Sequence, residues 1–186
     1  MTTLYLTGVE STTPPPPGIA ASFVLDPVPQ STPGLNMGHQ VSGGTPSPWP
    51  YAAISRPLAA ATISGPITWQ LLTWEETDGN GAASIRVLRL DGAGAVLATV
   101  LEYTVNQSGG ELAIPGQPGS NYRTGGATPT ATTIVDGDRL AVEVWVDHAS
   151  HQGGTGKLKH TDFAVHLDVA AEASWVAFTE DLVELP

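Results

Sequence analysis

The residues best suited to chemistry lie between Asp136 and Asp168. From His160 the chain reads HTDFAVHLDV, with His160, Asp162, His166 and Asp168 alternating with Thr161, Phe163, Val165, Leu167 and Val169. An imidazole and a carboxylate two residues apart on a strand point the same way and could chelate one divalent ion. The same alternation is what a strand with a wet face shows in any case, and the spacing matches no known ligand set. Asp147, His148 and His151 form a second cluster at a strand end. Gly153, Gly154 and Gly156 follow it, which suggests mobility rather than a held geometry, and no nucleophile stands beside it. Asp136 and Asp138 flank Gly137; a tight turn explains them more simply than calcium does. The expectation is therefore no metal, no cofactor and no catalytic residue, and the chain reads as a non-enzyme.

Five tryptophans raise a different possibility. Trp49, Trp69, Trp74, Trp145 and Trp175 would suit a platform on which sugar rings stack, although core or interface duty is the commoner use of tryptophan. Asn106-Gln107-Ser108 has the form of a glycosylation acceptor, but no secretory leader is visible. The glycine pairs lie in loops, and none forms a phosphate-binding turn ahead of a helix.

The elements that would carry these residues are strands. Thr133–His148 reads TIVDGDRLAVEVWVDH, in which Leu140, Val142, Val144 and Val146 alternate with Ala141, Glu143, Trp145 and Asp147. Strict period two predicts a strand with one face in the core and the other wet or in an interface. Further strands are predicted at Leu4–Thr7, Ala59–Ile63, Ile67–Trp74, Ser84–Leu90, Val96–Tyr103, 158–169 and Trp175–Thr179. Asp78-Gly79-Asn80-Gly81 and Asp91-Gly92-Ala93-Gly94 are turn signals between them. No helical period survives beyond a turn or two. About eight strands at this spacing predict an all-β fold, an antiparallel β-sandwich of jelly-roll type, with an immunoglobulin-like sandwich second.

Residues 1–50 differ from the rest. They hold ten of the sixteen prolines, including Pro14–Pro17, and no Lys or Arg. Proline removes a backbone donor and does not fit a central strand. The expected organisation is an N-terminal strand and an extended proline-rich arm over 1–50, then a sandwich over 51–186. Phe23, Val24, Leu25, Trp49 and Tyr51 are too apolar for a flexible tether, so the arm is expected to lie on another subunit. Trp74 and Trp145 stand on the opposite parity to core-facing neighbours, and Tyr122 is the sole aromatic residue of the loop 106–130. These eight are the candidate subunit contacts. A neighbouring copy is the expected cover for the second apolar parity of the strands, which implies a homo-oligomer.

The charge is −11, from 18 acidic and 7 basic residues, which excludes a phosphate-backbone partner. Cysteine is absent, and no run of about 18 apolar residues exists, so neither a disulfide framework nor a membrane span is expected. Only 13% of residues are charged, which suits a surface covered by partners.

Four stretches taken together resemble a family: TLYLTGVEST at the start, TWEETDGNGAASIRVLRLDGAG, TTIVDGDRLAVEVWVDHA, and SWVAFTEDL near the end. They resemble small virion-associated proteins encoded by tailed bacteriophages and prophages. The resemblance covers about 54–182 and the first ten residues. It implies a virion structural protein, most directly a capsid decoration subunit that binds and stabilises the particle surface. A tail or neck accessory protein, including a carbohydrate-binding adhesion module on the host surface, is the alternative it leaves. The partners it implies are major capsid or tail proteins. The location it implies is the virion, assembled in the host cytoplasm.

Overall fold

The computed structural model describes residues 1–29, 35–42, 47–75, 81–104, 122–148, 160–167 and 173–186. The described residues form thirteen strands: β1 (Thr2–Glu10), β2 (Ala21–Asp26), β3 (Leu35–Ser42), β4 (Ser47–Ser55), β5 (Ala61–Ile63), β6 (Ile67–Glu75), β7 (Gly81–Leu90), β8 (Val96–Tyr103), β9 (Tyr122–Ala127), β10 (Thr132–Ile134), β11 (Arg139–His148), β12 (His160–Leu167) and β13 (Trp175–Phe178). The protein is all-β, as the alternation predicts. Among the described residues no helix is long and apolar enough to cross a membrane.

Ten strands run β3-β12-β6-β13-β1-β2-β4-β11-β7-β8, β9 adds to β6, and β5 with β10 makes a separate pair. The large sheet curls on itself. β6 and β8 stand far apart in that order, yet the Trp69 and Tyr103 rings meet at 5.0 Å. One main core fills the space between the halves. It takes Leu4 and Leu6 from β1, Leu25 from β2, Ile67 and Leu71 from β6, Ile85 and Val87 from β7, Val142 and Val144 from β11 and Phe178 from β13. These are alternate residues of their strands, so period two delivers them all to one side.

Two features depart from the expectation. The first is the arm. Part of residues 1–50 is woven into the sheet: β2 lies between β1 and β4, and the expected boundary at residue 50 falls within β4. The β2–β4 pair is parallel, Ala21↔Tyr51 to Leu25↔Ser55, in a sheet otherwise antiparallel. A parallel pair needs a long crossover, and residues 27–46 are long enough to give one. The second is the cover on the outer face. Ala52, Ile54, Leu88, Leu90 and Ala141 form a smaller buried cluster there, and Ile19 of the same chain packs on it. The segment before β2 is tied down beside it. Ser22 Oγ donates to Thr13 O (2.6 Å), Ser11 N–H donates to Ser22 O (2.9 Å), and the Pro14 carbonyl lies against Gly94. At this patch the chain covers its own second apolar parity.

Gly125 of β9 shows how tightly the layers meet. A Cβ there would lie 2.5 Å from Trp69 Cζ2, and Trp69 is buried. Only a bare backbone fits under the indole. Gly125→Ala is expected to cost about 1–3 kcal/mol through overpacking. Urea unfolding checks this, with Gly126→Ala as the milder control, since its Cβ would meet Thr68 Cγ2 at 3.1 Å.

Candidate functional site

Among the described residues, Arg–carboxylate pairs gather at three points. The first is the outer face of β7 and β11, where Arg86 and Glu143 are direct register partners. Glu143 is 1% exposed. Arg86 Nε donates to Glu143 Oε2 at 2.7 Å, and Arg86 Nη2 bonds the same oxygen. Two donors on one oxygen hold the carboxylate in a dry place.

The second is the turn ahead of β11. Gly137 takes φ +91°, which an L side chain adopts only with strain. Asp136 Oδ1 accepts Ala60 N–H (2.7 Å). Asp138, buried, accepts Val135 N–H (2.9 Å) and Arg89 Nε–H (2.6 Å) on Oδ2. Both aspartates thus build the turn, as the sequence reading expects. Among the described residues, no three His, Asp or Glu side chains gather as a metal group.

The third point lies where β2 and β4 end. Asp26 is buried; its Oδ1 accepts Val28 N–H (2.9 Å), and its Oδ2 accepts Arg56 Nη2–H (3.2 Å). Arg56 Nη1 also lies 3.5 Å from Glu184 Oε2. Arg139 reaches the same corner, and its Nη1 donates to Ser55 O (3.0 Å). Burial raises the Glu184 pKa above its ordinary value; Arg56 opposes that shift and the charge of Asp26 adds to it. Glu180 shows the reverse result. Burial pushes it up, but the Ser64 and Gly65 N–H groups outweigh that and hold it low.

Of the eight expected contact residues, Phe23 (4% exposed) and Leu25 (0%) lie in this chain's own core, because their parity on β2 turns inward between β1 and β4. They are corrected from subunit contacts to core. Val24 is half-buried on the other parity. Tyr51, half-buried, meets Phe23 edge-on, with ring centroids 5.7 Å apart at 66°. The side chains of Trp49, Trp74, Tyr122 and Trp145 lie outside what is described, as do those of Asp147, His148, His160, Asp162 and His166; His151 and Asp168 lie outside the described residues. Of the sugar-platform candidates, Trp69 is buried at 3% and Trp175 is half-buried.

The sequence reading passed over Asp26, Arg56, Arg86, Glu143 and Glu184. A signal existed for one pair: Arg86 and Glu143 are charged residues on the outward parities of two strongly alternating strands. The Asp26–Arg56–Glu184 corner had none, since it joins residues up to 158 positions apart.

No family model matches the chain, and no curated protein does. Solved structures do match in fold. An α-amino acid ester hydrolase aligns with 95% of this chain at a TM-score of 0.64 and 13% identity. A CocE/NonD family hydrolase from Staphylococcus aureus aligns with 95% at 0.58 and 13%. An aminopeptidase from a marine sediment Thaumarchaeota archaeon aligns with 98% at 0.65 and 10%. The chain spans about a third of each: 36%, 35% and 37% of their lengths. At such identity the likeness is one of fold. The expectation of a non-enzyme is nevertheless corrected as a reading of the architecture, because solved chains that share it are hydrolases and an aminopeptidase.

Proposed function

We propose that this chain is the β-sandwich module of a larger hydrolytic protein or complex that acts on compounds with a free α-amino group. The observation that carries the reading is the coverage: nearly all of this chain maps onto about a third of hydrolase and aminopeptidase chains. A module in that setting seats against the remainder of the enzyme and shapes the approach to it. The charge supports the substrate class. α-Amino esters and peptide N-termini carry an ammonium beside the bond to be cleaved, and a chain of net charge −11 draws cations to its vicinity.

The test is release of p-nitrophenol from an α-amino acid ester by the protein in its native complex, at low and high salt. Turnover whose kcat/KM falls as salt rises is expected, with the dependence lost for the N-acetylated ester. Absence of turnover on both compounds overturns the proposal.

A second reading is a virion subunit, capsid decoration first and tail or neck accessory next. What favours it is where the phage-like segments fall. TLYLTGVEST supplies β1 and SWVAFTEDL supplies β13, which pair from Thr2↔Phe178 to Tyr5↔Trp175. The other two segments supply β7 and β11, which pair from Arg139↔Leu90 to His148↔Gly81. The resemblance thus falls on two pairs of bonded strands, β13–β1 and β11–β7, separated by β2 and β4. Specific binding to purified particles would support this reading; its absence would remove it.

A further inference from the structure

Residues 182–185 lie as a strap along residues 57–60. Ala59 N–H donates to Val183 O (2.8 Å), and Leu185 N–H donates to Pro57 O (2.8 Å). Leu58 and Glu184 face each other in an antiparallel bridge. Leu182 and Leu58 are both buried in the main core. Leu182 N–H also donates to Thr2 Oγ1 (2.7 Å), so the strap holds the start of β1 as well.

Glu184 is the one charged side chain of the strap. Its Oε2 has Arg56 at 3.5 Å, while its Oε1 is buried with no hydrogen-bond partner among the described residues. Arg56 is shared, since Nη2 donates to Asp26 Oδ2. One half-solvated cation therefore serves two carboxylates, and one carboxylate oxygen stays dry. The charges on the neighbouring elements are engaged elsewhere. Asp136 and Asp138 hold the turn before β11, Arg89 holds Asp138, and Arg139 donates to Ser55 O through Nη1 while its Nε is buried without a partner among the described residues. Glu180 accepts from Ser64 and Gly65, and Asp181 pairs with the Met1 ammonium.

We infer that the strap is a latch that acid tightens: a protonated Glu184 leaves Arg56 to Asp26 and seats residues 182–185 with no charge on a dry oxygen. A buried, unsolvated carboxylate oxygen is costly while ionised and much less so when neutral. The direction of the Glu184 shift agrees, with burial as its largest cause. The sign follows from linkage. A folded value above the unfolded one, which is about 4.3, means that the penalty of the ionised form is absent below that unfolded value. The penalty is complete above the raised folded value, so this contribution favours the latch as pH falls through the window between them.

The experiment compares the wild-type protein with Glu184→Gln, which keeps the shape and cannot ionise. At neutral pH the variant is expected to melt about 2–4 °C above the wild type, and the gap is expected to close below pH about 4. Amide exchange is followed in parallel at Ala59 and Leu185, the donors of the strap bonds. Corrected for intrinsic rate, their protection in the wild type is expected to rise several-fold on acidification, relative to the β7–β11 amides. A melting gap that is the same at both pH values overturns the latch, as does strap protection that stays level or falls. If the variant does not fold, wild-type exchange alone decides.

Discussion

Arg86→Met is expected to destabilise the protein by about 3–5 kcal/mol, the cost of leaving a buried carboxylate without its partner. Glu143 is 1% exposed, and both bonds that the Arg86 guanidinium makes to it end on one oxygen. With the cation gone, that carboxylate must either stay ionised in a dry place or take a proton. The change in denaturation midpoint gives the number. The double variant Arg86→Met with Glu143→Leu is expected to regain most of the loss, because two apolar side chains suit a face that already carries Leu88, Leu90 and Ala141. A double variant as unstable as Arg86→Met would show that the pair supports something beyond its own charges.

Phe178→Ala is expected to cost a similar amount, about 3–5 kcal/mol, by a different route. Phe178 is fully buried in β13, between Thr2 of β1 and Ile67 of β6. Removing its ring opens a cavity where the strand is only four residues long, and little of the neighbouring backbone can move in. Thermal melting measures the loss. Val183→Ala, five positions on, is the control: Val183 is 60% exposed, and the change is expected to stay within about 0.5 kcal/mol. Equal losses at the two positions would mean that the core does not end where the burial places it.

The strands most legible in the sequence are those whose own residues alternate over a long run. β7 and β11 are predicted to within a few residues, and β8 falls at Val96–Tyr103, where the turn signal at Asp91–Gly94 places it. β4 was hidden by its prolines. Pro48 and Pro50 argue against a central strand, yet β4 lies between β2 and β11. The pairing resolves the conflict, because β2 joins β4 only from Tyr51 onward. At Pro48 the described partner is Trp145 on the other side, just past a register shift. A missing donor costs little where the strand has one neighbour. β9 was hidden by Gly125 and Gly126, which read as loop because the indole that requires a bare backbone comes from Trp69, 56 positions away. The site was less legible still. Alternation marks Glu143 as outward-facing, but it says nothing of what covers that face, so a buried ion pair reads as a solvated one.

The place of β1 has a consequence for how this chain is made. β1 is bonded to β2 on one side and to β13 on the other. β1 thus finds its second partner only after residues 175–178 have been synthesised. Until then one edge of β1 is open, with unpaired backbone donors and acceptors and with Leu4 and Leu6 short of their full cover. Closing so long a loop adds little to the equilibrium cost but delays the encounter, because contacts distant in sequence form late. The nascent sandwich therefore passes through a stage in which β1 can pair with a stranger, and the speed of translation from β2 to β13 sets how long that stage lasts.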